Sequence, residues 1–137
     1  MEKKVIKIGM CGSVLYEKKS KIKDTVYKLK NEFGSDLRII SGGRKNGADK
    51  LIRKYALEFN IYYSEFNPSH ETKSLYSHLH ENFYNKPYSP RNYFIRNKMM
   101  VKHIDYMIVF VDNKIDKDIQ YVIDETRKLS KKIVLID

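Results

Sequence analysis

The chain has 137 residues, of which 42% are hydrophobic, the proportions of a soluble globular domain long enough to bury one core. No apolar run reaches the length of a membrane span, and the opening MEKKVIKIGM lacks the apolar stretch of a signal peptide, so a cytoplasmic protein without a membrane partner is expected. A single cysteine, Cys11, excludes an internal disulfide and a Cys-based metal cage, while the formal net charge of +10 favours anionic partners.

In chain order, Val5 to Met10 is β-rich and runs into Cys11-Gly12-Ser13. Ile22, Val26, Leu29 and Phe33 then recur at the spacing of an amphipathic helix, which Gly34 should stop. Leu37 to Ile40 reads as a buried strand leading into Ser41-Gly42-Gly43. Ala48, Leu51, Ile52, Tyr55, Ala56 and Phe59 mark the clearest helix. Ile61 to Phe66 is a third strand, more polar than the others. A helix with Ile95, Met99 and Met100 on its apolar face precedes a fourth strand, Tyr106 to Val111. Ile119, Val122, Ile123, Thr126 and Leu129 give another helix, and Ile133 to Ile136 a fifth strand.

Strands alternating with helices of three turns or more imply right-handed crossovers. The expected fold is therefore α/β, a single Rossmann-like domain over residues 1–137 with about five mostly parallel strands and helices on both faces. One irregular, aromatic-rich segment at about 67–91 interrupts the alternation, punctuated by Pro68, Pro87 and Pro90. Within it Glu71 to Phe83 is a helix candidate. Long segments of this kind in compact domains are more often functional than idle.

Open parallel sheets bind ligands beyond the carboxyl ends of their strands. There stand Gly12-Ser13 after strand one, Ser41 to Asp49 after strand two and Asp112-Asn113 after strand four. In the second loop Gly42, Gly43 and Gly47 allow close backbone approach, and the loop opens onto a helix amino terminus, which favours an anion. Arg44 and Lys45 add positive charge, and Asp49 in the first helical turn either caps the helix or accepts hydrogen bonds from a ribose. The alternative is that the glycines serve only a tight turn. The Gly-Lys-Ser/Thr ending of a Walker A loop is absent, as is the dinucleotide fingerprint.

Arg96 and Asn97 form a second cluster, at the start of a helix or early in it. A guanidinium fork suits phosphate, and an amide reads a base edge or a ribose hydroxyl. The alternative is a solvated helix start. His70, His78 and His80 lack metal-ligand spacing and carboxylate company, so no metal is expected. Ser13 and Ser41 have no identifiable His-Asp partner and read as hydroxyl donors rather than nucleophiles.

These residues resemble those of the SLOG superfamily of Rossmann-like nucleotide-binding domains, nearest its small stand-alone YspA-like branch. The resemblance rests on Gly12-Ser13, on the Ser-Gly-Gly…Gly-Ala-Asp run from Ser41 to Asp49, and on Arg96, Asn97 and Met99 or Met100 ahead of Asp105. It implies a nucleotide-related ligand held by the Gly-Ser turn, the double-glycine loop and the Arg-Asn pair. Two departures stand out. Val14 replaces the arginine that commonly follows Gly-Ser, and Asp112 to Asp118 replaces the family's Gly-Thr step before the last helix. The second departure removes the phosphoribohydrolase signature.

Three functions follow in order of preference. The first is capture of a nucleotide or nucleotide-derived small molecule, as a sensor or sequestering module. Gly12, Ser13, Ser41, Gly42, Gly43, Arg44, Gly47, Asp49, Arg96, Asn97 and Asp112 would form its site, and one of Tyr76, Tyr84, Tyr88 or Tyr93 would stack on a base. The second is cleavage of an N-glycosidic or phosphoester bond, with Asp49, Glu65 and Asp112 as strand-end carboxylates. The third is nucleic-acid binding, raised by the net charge, although the lysines are scattered over polar helix faces. No cofactor is expected. The oligomeric state is open, a homo-oligomer included, and a Lys-, Asn- and Tyr-rich composition fits an AT-rich bacterial or phage genome.

Overall fold

The computed structural model describes residues 5–137. Five strands form one all-parallel sheet in the order β3-β2-β1-β4-β5: β1 (Ile6–Gly12), β2 (Leu37–Ser41), β3 (Tyr62–Glu65), β4 (Tyr106–Phe110) and β5 (Lys132–Ile136). Four α-helices connect them: α1 (Lys19–Phe33), α2 (Ala48–Glu58), α3 (Arg91–Lys102) and α4 (Lys117–Lys128). The fold is the expected α/β Rossmann-like one. The chain winds outward from β1 through β2 to β3, then returns to the other side of β1, so the strand order reverses between β1 and β4. That reversal opens a crevice beyond the carboxyl ends of the two strands.

The two faces of the sheet follow from side-chain alternation. Ile8, Met10, Ile108 and Phe110 point to the face covered by α1 and α2, where they pack with Ile22, Val26, Leu29, Ile52 and Ala56. Cys11, Met107 and Val109 point to the opposite face, under Met100 and Val101 of α3 and Ile119, Val122 and Ile123 of α4. Because both faces are covered, the central strands are almost wholly apolar. Gly34, at φ +56°, ends α1 where the sequence placed the stop.

Two sequence expectations give way. Glu71 to Phe83 is not a helix; only the 3-10 turn Glu81–Phe83 is helical there. The physical reason is competing pairing: the Glu65 N–H donates to the Tyr76 carbonyl at 2.9 Å and the His78 N–H to the Glu65 carbonyl at 2.8 Å. Residues 76–78 are thereby drawn alongside β3, and Leu75 is left 87% exposed. The inward face of α3 is only in part the expected one. Met100 is buried and Met99 packs against the same core, but Ile95 is exposed, and Asn92, Arg96, Asn97 and Val101 are buried as well. Among the described residues no helix is long and apolar enough to cross a membrane.

Candidate functional site

The loop from β2 to α2 folds onto itself before it faces outward. Gly43 and Gly47 have φ of +71° and +70°, a backbone region that favours glycine. A Cβ on Gly43 would lie 2.5 Å from Asn67 Nδ2 and 2.9 Å from the Glu65 carboxyl carbon; one on Gly47 would collide with the Ser13–Val14 backbone. A Cβ on Gly42 would meet the Arg96 guanidinium at 2.8 Å. The glycines thus admit the protein's own polar groups at close range.

Those polar groups form a buried network. Asp49, 2% exposed in the first turn of α2, accepts hydrogen bonds from the backbone N–H of Gly12 at 3.2 Å and of Arg44 at 3.1 Å. Burial pushes its carboxyl up to about 6, against the lowering pull of the Arg96 charge and of the Arg44 N–H. Arg96, 1% exposed, donates to the carbonyls of Gly42 at 2.5 Å and Phe66 at 3.4 Å, and to the Asp118 carboxylate at 2.9 Å. Asn97 and Arg44 also donate to Asp118, and Arg44 reaches Asp116 at 3.2 Å. Burial opposes the Arg44 charge, but Asp118 and Asp116 more than offset it and hold the guanidinium above its usual range. Asp116 caps α4 by accepting the Ile119 N–H at 2.8 Å.

Outside this network lies a cavity of about 480 Å³, within the range that holds a drug-sized ligand. It occupies the crevice beyond the sheet. Its lining includes Val14 of the β1–α1 loop and Arg44, Lys45 and Asn46 of the β2–α2 loop. Pro68, Glu71 and Pro90 of the irregular segment, with Tyr93 and Phe94 of α3, also contribute. Asp116, Lys117 and Asp118 complete it at the start of α4.

Of the eleven residues expected to form the site, Arg44 lines the cavity, beside Lys45, which was expected to add charge there. Gly12, Ser41, Gly42, Gly43, Gly47, Asp49, Arg96 and Asn97 stand behind it. Ser41 is fully buried and its hydroxyl accepts the Gly43 N–H at 3.2 Å. Ser13 and Asp112 pair with each other at 3.1 Å and brace the turns after β1 and β4. Of the four tyrosines, Tyr93 lines the cavity; Tyr84 is buried, Tyr88 is 68% exposed, and Tyr76 packs on Tyr63 and under Arg53. The histidines do not converge. His70 sits between Tyr88 and Tyr93, His78 packs on Phe66, and His80 caps the Glu81–Phe83 turn.

Sequence reasoning did not identify Asp116 and Asp118 as the partners of the arginines. The signal was present in the acidic run that replaces Gly-Thr ahead of α4. It also missed a second polar cluster around Glu65, 1% exposed, which accepts from Tyr63 at 2.6 Å and Ser74 at 2.7 Å. Ser77 donates to the neighbouring Asn67 at 2.7 Å, so this cluster pins the irregular segment to the end of β3.

No protein-family model and no curated protein matches the chain. Among solved structures it is similar to DNA processing protein A from Helicobacter pylori, described for its single-stranded DNA binding mode, with a TM-score of 0.70 and 18% identity. That match covers 96% of this chain and 65% of the other. It is also similar to the molybdenum cofactor binding protein of the phototrophic bacterium Rippkaea orientalis, with a TM-score of 0.67 and 18% identity over 98% of this chain and 77% of that one. Likeness at this identity shows the Rossmann-like fold alone.

Proposed function

We propose that the protein binds a nucleotide or nucleotide-derived small molecule in the cavity beyond β1, β2 and β4, as a sensor or sequestering module. The observation that carries this reading is the cavity itself. It lies at the reversal of strand order, and its lining combines Tyr93 and Phe94 with the charged residues Arg44, Lys45, Glu71, Asp116, Lys117 and Asp118. Arg44 and Tyr93 are assigned to direct contact. The glycines, Ser13, Ser41, Asp49, Arg96, Asn97 and Asp112 are assigned to holding the contacting loops in place. The motif resemblance to the SLOG superfamily and its YspA-like branch supports the same ligand class. Binding is preferred to cleavage because Asp49 and Glu65 are buried away from the cavity and Asp112 is paired with Ser13. Of the carboxylates in the lining, Asp116 and Asp118 are tied to Arg44, which leaves Glu71 as a single carboxylate without an ion pair among the described residues.

A thermal-shift screen of mononucleotides, dinucleotides, cyclic nucleotides and ADP-ribose-type ligands tests this reading, with each hit recovered by chromatography. A ligand specific for the native state at about 100 times its dissociation constant adds about 2.7 kcal/mol of stability. A hit recovered intact and weakened by Tyr93→Ala is the expected result. Conversion to product would make the protein an enzyme, and a panel without hits would refute the reading.

A second reading, nucleic-acid binding, is favoured by one feature. Lys45, Lys50, Arg53 and Lys54 line a shallow groove along α2, adjoining the cavity at Arg44 and Lys45. It predicts affinity for single-stranded DNA whose log–log dependence on salt has a slope of about −0.7 per phosphate neutralised. Lys50→Ala with Lys54→Ala should then make that slope shallower.

A further inference from the structure

Glu71 differs from the other carboxylates that line the cavity. Asp116 is tied to Arg44, and Asp118 to Arg44, Arg96 and Asn97. The Glu71 carboxylate has no ion pair and no hydrogen bond among the described residues, and its charge is left for a group from outside the chain. Its main chain is fixed all the same. The Glu71 N–H donates to the Pro68 carbonyl at 3.0 Å, and the Glu71 carbonyl accepts the Asn85 N–H at 3.0 Å. The residue is half-buried and shares the lining with Tyr93 and Phe94. Burial pushes the Tyr93 phenol up and the Glu71 charge raises it further, which puts the carboxylate within electrostatic reach of that ring. Both aromatic rings are braced, Tyr93 by His70 at 5.2 Å between centroids and Phe94 by Tyr121 at 4.9 Å.

From this arrangement, and resting on the nucleotide-binding reading above, we infer that Glu71 selects guanine: its two oxygens accept the N1–H and the 2-amino group of a base held against Tyr93 and Phe94. An ionised carboxylate only accepts, so it favours the base edge that only donates at the two positions it meets. Guanine has such a pair, with the N1–H and the 2-amino group side by side. Adenine and cytosine each set a ring-nitrogen lone pair beside their one amino group, and uracil flanks its single N–H with two carbonyls. In all three an acceptor faces the carboxylate. Glu71 is therefore a specificity-determining residue, and the aromatic lining supplies contact that any base can use.

Calorimetric titration of the full chain tests the inference, with the 5′-mono- and triphosphates of guanosine, adenosine, cytidine, uridine and inosine, the cyclic mono- and dinucleotides of guanine and adenine, and ADP-ribose. Within each class the guanine ligand should bind about tenfold or more tighter than the others, the discrimination of a bidentate contact with a base. Inosine nucleotides, which keep the N1–H and lack the 2-amino group, should fall between. Glu71→Gln turns an amide NH2 towards one guanine donor and should weaken the guanine ligand about tenfold or more. The same amide suits the donor-and-acceptor edge of adenine, so the adenine ligand should hold or gain, where a merely structural role would weaken both. The melting temperature of Glu71→Gln should stay near that of the native chain. An adenine, cytosine, uracil or inosine ligand binding as tightly as its guanine counterpart, ADP-ribose binding tightest of all, or Glu71→Gln leaving the preference for guanine unchanged would overturn the inference and leave the nucleotide reading standing. Failure of the whole panel to bind would remove both.

Discussion

Replacing Asp49 by Asn alters one atom of a buried carboxylate and should produce a stability difference that depends on pH. The folded carboxyl stands at about 6 against an ordinary value of 3.8, because burial disfavours its charge. A raised acid binds its proton more tightly in the folded state, so its contribution to stability is largest below pH 4 and falls as pH rises through 6. The full span is about 3 kcal/mol, of which about 2 kcal/mol is lost between pH 4.5 and 7.5. Asparagine does not titrate, yet it leaves one backbone donor, of Gly12 or Arg44, facing an NH2 group, at a cost of about 1–3 kcal/mol. The destabilisation by Asp49→Asn should therefore shrink by about 2 kcal/mol from pH 4.5 to 7.5. Urea unfolding of both proteins at several pH values measures it. A destabilisation that stays constant or grows with pH would refute the argument that burial dominates this carboxyl.

Other substitutions probe the same construction. Arg96→Met should cost about 3–5 kcal/mol in urea unfolding, since it leaves Asp118 short of a cation and the Gly42 carbonyl without its donor. Gly43→Ala should cost about 1–3 kcal/mol more than Gly34→Ala, because both have positive φ but only Gly43 has Asn67 and Glu65 where the Cβ must go. Ser74→Ala removes a donor to Glu65 and should raise opening of residues 67–90 about fivefold in hydrogen exchange, with global stability changed by about 1 kcal/mol at most. Protection unchanged in that segment would detach the Glu65 cluster from any role in holding it.

The layout of the sheet was legible because each central strand is a short apolar run and each helix except α3 carries an apolar stripe. On α3 apolar periodicity indicated Ile95, Met99 and Met100, of which Met100 is buried and Met99 partly so, while the polar Asn92, Arg96 and Asn97 on the buried face left no apolar signal. The loops at the strand ends were legible as loops; their direction was not. Glycine between small residues reads the same whether the space beside it is for a ligand or for Arg96 and Asn67, and only the tertiary neighbours decide. The helix expected at 71–83 was lost to backbone pairing with β3, an interaction across some ten residues that no local pattern encodes.

The reversal of strand order has a consequence for how the protein comes into being. Residues that line the cavity, such as Val14 and Asp118, are roughly a hundred positions apart in the chain, and their loops meet only when β4 has docked beside β1. A nascent chain lacking its last third therefore lacks the cavity. Under the proposed binding function, a ligand would act on the global unfolding equilibrium rather than on a local one, so its concentration would set the folded population of the whole chain.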